Sequence, residues 1–237
     1  MGRNGEKEKS SLKKMQIMRW FSIPSYSIED KKEENASNHL KHNKENKEKP
    51  KEKEDVLDIS QFGEVKEGYP YIQMKLDGDQ ITKEFEEQLQ TKIAQHIDIR
   101  EATSEDISLL VDLYNRAFLT ANDPYTPMTQ KNMKAIYDYN ETIILIAKIW
   151  GVNAGFIIID FEGDSKEIGV IAGLGILPEW QKRGIGTTLG IASWDYFKKK
   201  GIKELKCEVY SKNYASYRLI KGIGFEPVGV KYYDFKH

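Results

Sequence analysis

The stretch that decides the fold runs Ile168-Gly169-Val170-Ile171-Ala172-Gly173-Leu174-Gly175-Ile176-Leu177-Pro178-Glu179-Trp180-Gln181-Lys182-Arg183-Gly184-Ile185-Gly186-Thr187-Thr188-Leu189. Its first part, Ile168 to Leu177, has little polar content and stops at a proline, so it reads as a strand. Beyond the proline, Ile185, Leu189, Ala192 and Tyr196 share one face of a long helix that closes at Lys198-Lys199-Lys200-Gly201. The lysines complement the negative helix end, and Gly201 suits its C-terminal cap. A glycine-rich turn that feeds a helix N-terminus aims unpaired N–H groups and the positive dipole end at one spot, which suits phosphate. Gly184 and Gly186 allow close backbone approach, and Lys182 and Arg183 add charge. A P-loop is excluded because no Gly-Lys-Ser/Thr occurs. The dinucleotide fingerprint is excluded too: its third glycine would be Gly190, one place late, and Pro178-Glu179-Trp180 intervene. What remains is Gln-x-x-Gly-x-Gly.

Upstream of this junction, helix and strand periods take turns. Ile97 and Ile99 alternate with Asp98 and Arg100 as a strand, and Thr103-Ser104-Glu105-Asp106 has the pattern of a capping box with Asp in place of Glu. Ile107, Leu110, Val111, Tyr114 and Phe118 follow on one helical face. Thr126-Pro127 is expected to open a second helix that runs to about Tyr139. Two apolar strands, Thr142 to Trp150 and Gly155 to Phe161, are joined by Gly151-Val152-Asn153-Ala154 and predict an antiparallel hairpin. Downstream, Ile202 to Tyr210 reads as a strand, Asn213 to Gly222 as a short helix and Phe225 to Phe235 as a closing strand. The order predicts an α/β (α+β) fold, a mixed, mostly antiparallel central sheet flanked by helices.

The N-terminal part is different in kind. The chain has 237 residues, 31% of them charged, with a formal net charge of −1. Residues 1–55 hold 25 of the 73 charged side chains, and from Glu29 to Asp55 Leu40 is the one large aliphatic residue. Such a segment cannot bury enough apolar surface to offset chain entropy, so 1–55 reads as a disordered tail. Within it, residues 12–23 form a basic, apolar island around Leu12, Met15, Ile17, Trp20 and Phe21. The island is either unstructured, packed on the domain, or a docking segment for a partner or a lipid surface. Residues 56–96 read as an extension packed on the domain: Ile72, Met74 and Leu76 mark a strand, and Asp79 would cap a helix carrying Ile81, Phe85, Leu89 and Ile93. The remaining residues, 97–237, form the domain proper.

Composition removes several classes. A single Cys excludes a disulfide framework and makes a cytoplasmic setting the default. Met1 to Ser10 is charged rather than signal-like, and no apolar run approaches the roughly 20 residues of a membrane span. Net charge near zero and a tail of mixed sign argue against nucleic acid. His39 and His42 lie in the tail and His96 and His237 at segment ends, so no metal site is expected. Cys207, in an alternating strand, reads as packing.

At the junction the sequence resembles the GNAT superfamily of acyl-CoA-dependent N-acetyltransferases. Ile176-Leu177-Pro178 with Gln181-Lys182-Arg183-Gly184-Ile185-Gly186 is similar to the superfamily's pyrophosphate-binding motif. Asn213-Tyr214-Ala215-Ser216 with Gly224-Phe225 is similar to its second CoA-contacting motif, so the resemblance covers Ile97 to the C-terminus. It implies a sheet splayed at the strand Ile168 to Leu177, with acetyl-CoA as co-substrate. Pantetheine would bond the main chain near Ile176 and Leu177, the pyrophosphate would lie on the N–H groups of Lys182 to Thr187, and Asn213, with Ser216 in the same motif, would contact the pantetheine arm.

The activity implied is N-acetyl transfer to a primary amine by direct attack, with a backbone N–H of the splayed strand stabilising the oxyanion. Here the sequence departs from the family. The usual thiolate-side Tyr falls at Ile220, which leaves Tyr217 as a shifted substitute, with Tyr214 nearby. The Glu that serves as base in some members is absent from Val170-Ile171-Ala172-Gly173; Glu208 is the candidate taken here, beside Glu167, Asp160 and Glu162. A catalytically inactive acyl-CoA-binding module, attached to a partner through the tail, is the alternative. The acceptor would meet Asn122-Asp123-Pro124-Tyr125, Tyr137-Asp138-Tyr139 and the Tyr232, Tyr233, Asp234 end, whose aromatics and acids suit a cationic amine. A homodimer and partner docking through residues 12–23 are compatible with this reading.

Overall fold

The structure is a computed structural model that describes residues 58–124 and 126–234. The charged tail, its island at 12–23, Tyr125 and His237 lie outside the described residues. In chain order the elements are β1 (Tyr69–Asp77), α1 (Lys83–Gln90), β2 (Ile97–Glu101), α2 (Ile107–Leu119), α3 (Gln130–Tyr137) and β3 (Ile143–Ile149). Then come β4 (Val152–Glu162), β5 (Ile168–Ile176), α4 (Ile185–Lys199), β6 (Glu204–Tyr210), α5 (Tyr214–Gly222) and β7 (Glu226–Tyr233).

One seven-stranded sheet takes them in the order β2-β3-β4-β5-β6-β1-β7. All neighbours are antiparallel except β5 and β6, which are parallel. The mixed, mostly antiparallel sheet expected from the element order is therefore present. The strand of the 56–96 segment lies inside that sheet rather than against it. Its alternating Ile72, Met74 and Leu76 are each 1% exposed, and β1 pairs with β6 from Tyr71↔Tyr210 to Asp77↔Glu204 and with β7 from Tyr69↔Tyr233 to Lys75↔Glu226. The last strand thus has its ladder with the first.

Two cores sandwich the sheet. Ile185, Leu189, Trp194 and Phe197 of α4, Tyr217 and Ile220 of α5 and Leu89 of α1 cover one face, meeting Met74, Ile157, Leu205 and Cys207. Leu110, Leu113 and Tyr114 of α2 and Met133 and Ile136 of α3 cover the other over Ile144, Phe156 and Ile158. With both faces covered, β4 is buried from Ala154 to Phe161, which is why it reads as an unbroken apolar run.

Local chemistry moved several boundaries. The capping box is made as expected: the Thr103 N–H donates to Asp106 Oδ2 at 2.8 Å. The helix expected at Thr126-Pro127 starts instead at Gln130, because Thr129 Oγ1 accepts from the Asn132 N–H at 3.2 Å while Asn115 clamps the Met128 N–H at 2.7 Å and its carbonyl at 3.0 Å. Thr82, not Asp79, caps α1. The β3–β4 link shortens to Trp150 and Gly151, with φ of 47° and 80°, a two-residue type I′ turn.

Candidate acyl-CoA groove

The parallel ladder between β5 and β6 ends after Ile171↔Cys207. Beyond that pair the two strands have no further register, while β5 stays paired to β4 as far as Ile176. A groove of about 550 Å³ opens in this gap, with Leu174, Gly175 and Ile176 on one wall and the start of α5 on the other. Its end is the turn into α4. Lys182 (φ 59°) and Gly184 (φ 79°) are both left-handed there, and the first helical bond runs from the Thr188 N–H to the Gly184 carbonyl at 2.9 Å. The N–H groups of Ile185, Gly186 and Thr187 therefore have no acceptor within the helix.

Most of the residues expected to hold a cofactor meet on this groove. Ile176, Gln181, Lys182 and Gly184 line it, as do Ile185, Gly186, Thr187, Asn213 and Ser216. Two do not: Leu177 is 2% exposed in the α2–α3 core, and the Arg183 guanidinium sits 5.0 Å over the Trp180 ring. Gln181 Nε2 donates to the Ile176 carbonyl at 3.2 Å and so ties the turn to the strand end. Asn213 caps α5, accepting from the Ser216 N–H at 3.1 Å. Reading the sequence missed Lys212 and Arg218, which add positive charge to the lining; their signal was basic residues flanking the Asn213 motif.

The glycines serve the protein as much as any ligand. A Cβ on Gly184 would meet the Lys92 carbonyl oxygen at 2.3 Å, and one on Gly186 would meet Leu219 at 2.7 Å. The 92–94 segment is fastened there by a bond from the Ala94 N–H to Thr188 Oγ1 at 3.0 Å.

The residues expected to be catalytic are not brought together. Tyr217 is 5% exposed in the core under α4 and α5, and Ile220, at the family's Tyr position, is buried beside it. Glu208 points to the opposite face from its neighbour Cys207, where it accepts from the Tyr233 hydroxyl and lies 3.9 Å from Lys231 Nζ. Neither lines the groove. Among the other candidates, Glu167 accepts from the Ser165 N–H at 2.9 Å and Asp160 from the Phe161 N–H at 2.8 Å. Tyr214 is the tyrosine of α5 that does line the groove.

An acid that the sequence reading placed only loosely stands beside the groove. Asp123, after α2, accepts from the Tyr71 hydroxyl of β1 through Oδ1 and from Asn213 Nδ2 through Oδ2, both at 3.2 Å. Burial pushes its carboxyl up to about 6, against the two hydrogen bonds, which pull the other way. Burial also pushes the Tyr71 phenol well above its ordinary range. Among the described residues no group of His, Cys, Asp and Glu could hold a metal ion, and no helix is long and apolar enough to cross a membrane.

Comparison with known proteins agrees with this architecture. Residues 108–225 match the acetyltransferase (GNAT) family. No curated protein matches the chain. Among solved structures, a functionally unknown conserved protein from Staphylococcus epidermidis ATCC 12228 superposes with a TM-score of 0.52 at 18% identity, over 69% of this chain and 60% of that one. A tandem GNAT protein from the clavulanic acid biosynthesis pathway gives 0.52 at 13% identity, over 70% and 52%. This chain thus spans little more than half the length of those two. An aminoglycoside acetyltransferase from an uncultured soil metagenomic sample, in complex with sisomicin, gives 0.50 at 17% identity, over 60% and 97%. At these identities the likeness is one of fold.

Proposed function

The chain belongs to the GNAT acetyltransferase family through residues 108–225, and from that premise we propose that it moves an acetyl group from acetyl-CoA to a primary amine. The observation that supports this most is the groove itself, which joins an open strand edge to an unbonded helix N-terminus. The pyrophosphate fits on the N–H groups of Ile185, Gly186 and Thr187, with Lys182, Lys212 and Arg218 to neutralise it. The pantetheine arm fits along Leu174 to Ile176. Bound there, acetyl-CoA supplies the thioester carbon that the amine attacks, and the protein's part is chiefly to hold the two reactants together.

Tyr214, on the groove wall, takes the role of proton donor to the sulfur that the core position of Tyr217 denies to that residue. The buried Ile220 favours a second reading, a module that binds acyl-CoA without turning it over. Release of CoA across a panel of primary amines, followed beside calorimetric acetyl-CoA binding, separates the two. Binding with turnover supports the enzyme; binding with no turnover on any amine supports the module. A cytoplasmic setting, in which acetyl-CoA is at hand, accords with the single, buried Cys207.

A further inference from the structure

Asp123 is positioned by three parts of the fold at once. It follows α2, its Oδ1 is held by Tyr71 of β1, and its Oδ2 is held by Asn213 at the cap of α5. Asn213 and Asn122, its partner and its neighbour in sequence, both line the acyl-CoA groove, and Asn122 Nδ2 fixes the loop by donating to the Lys212 carbonyl at 2.8 Å. The groups facing the carboxylate are the phenols of Tyr71 and, from β6, Tyr210, with the Asn213 amide; Tyr114 of α2 lies behind Tyr71. None of these carries charge at neutral pH. Among the described residues no Lys or Arg pairs with Asp123, although Lys182, Lys212 and Arg218 line the groove beside it.

Among the described residues this half-buried carboxylate is held by neutral donors alone and lacks the cation that would offset its desolvation. The surrounding rings suit a cation as well: Tyr71 and Tyr210 have centroids 5.4 Å apart, and Tyr233 meets Tyr71 edge-on at 5.3 Å. By contrast, Glu208, further along the same face, already has the Lys231 ammonium 3.9 Å away. We propose that Asp123 is the acceptor-binding base: the substrate ammonium docks on its carboxylate beside Tyr71, and the same carboxylate takes the proton that the amine must lose before it attacks.

This rests on the acetyl-transfer reading above. In the step, the ammonium gives one proton to Asp123, which passes it to solvent. The N–C bond then forms as the C–S bond breaks, and a second N–H proton ends on the departing sulfur, leaving an amide and free CoA thiol. A carboxyl raised to about 6 by burial is ionised at neutral pH and a better proton acceptor than an ordinary aspartate. β1 belongs to this site through Tyr71, so the acceptor pocket includes a strand outside the span of residues 108–225 matched by the family.

The test uses the full chain with 1,4-diaminobutane, tyramine and lysine ethyl ester as probes, and has two readouts. In the first, the ¹³C carboxyl resonance of Asp123 is titrated with and without methylammonium. The expected midpoint lies near 6 and falls when the cation is added, since a cation favours the ionised form. In the second, kcat/KM for CoA release is followed against pH. An acid limb with the same midpoint is expected; D123N loses it and falls roughly 100-fold or more, with acetyl-CoA affinity kept. Y71F removes a bond that favours the carboxylate and so moves the limb to higher pH, a shift that a merely structural role does not produce. A midpoint indifferent to methylammonium, together with no CoA release or with D123N turning over as the wild type does, overturns the proposal. Failure of acetyl-CoA to bind overturns the acetyl-transfer reading instead and leaves the carboxyl titration to judge Asp123 alone.

Discussion

A Cβ at Gly184 would stand 2.3 Å from the carbonyl oxygen of Lys92. The turn that heads α4 is thus packed against the segment linking α1 to β2, and its left-handed φ of 79° adds a second demand for glycine. Gly184→Ala is expected to cost roughly 2–4 kcal/mol, from the left-handed backbone and the clash together. Urea denaturation of the full chain checks it; an unchanged midpoint would mean that neither the left-handed backbone nor the Lys92 contact demands glycine here. For the same reason, loss of CoA binding in a Gly184 variant reports on the fold first.

Side chains on the groove test the ligand more cleanly. Lys182 and Arg218 line it, whereas Arg183 stacks on Trp180. Lys182→Ala and Arg218→Ala should each weaken CoA binding about threefold to tenfold, the worth of one exposed charge–phosphate pair, and the loss should shrink in high salt. Arg183→Ala should have a smaller effect. Calorimetry at two salt concentrations reads both; a larger loss from Arg183 would place the phosphates elsewhere.

β1 carries the C-terminal strand, and Met74 is buried where β6, β1 and β7 meet α1 and α5. Met74→Ala should destabilise by roughly 2–5 kcal/mol, while Val228→Ala, on an exposed position of β7, should stay within about 0.5 kcal/mol. Equal effects in thermal unfolding would show that β1 is only loosely joined to the sheet.

Much of this was legible in the chain. Element order and the glycine-rich turn into a helix N-terminus follow from periodicity, a proline and glycine spacing, which are local signals; the splay at Ile168 to Leu177 follows from the family resemblance alone. The place of β1 was not: alternating Ile72, Met74 and Leu76 mark a strand but carry nothing about which neighbours it takes, since pairing is decided across the whole sheet. Helix spacing relates Tyr217 to Ile220 but does not tell which way the helix faces, and both residues turn into the core. Asp123 was legible only as one acid among several, because its partners Tyr71 and Asn213 are 52 and 90 residues away.

Asp106 gives the pH dependence of stability. The Arg100 guanidinium, 2.7 and 2.8 Å away through two bonds, and the Thr103 N–H hold its carboxyl well below the usual carboxylate range. A depressed carboxyl contributes stability above its unfolded value of about 4 and loses it as the pH falls below that. Asp106→Asn should therefore cost about 1–3 kcal/mol at pH 7 and flatten the decline between pH 4 and the acid side. Urea midpoints at pH 7 and pH 3 measure it; equal losses at both would remove the ionised pair as the cause.

The groove's assignment is tested most directly by calorimetric titration of the full chain with acetyl-CoA and, in parallel, with S-acetylpantetheine, which lacks the pyrophosphate and nucleotide. Binding of acetyl-CoA with S-acetylpantetheine roughly 100-fold weaker or more is expected if the N–H groups of Ile185 to Thr187 and the basic lining hold the phosphates. Equal affinities, or no heat from either ligand, would contradict it.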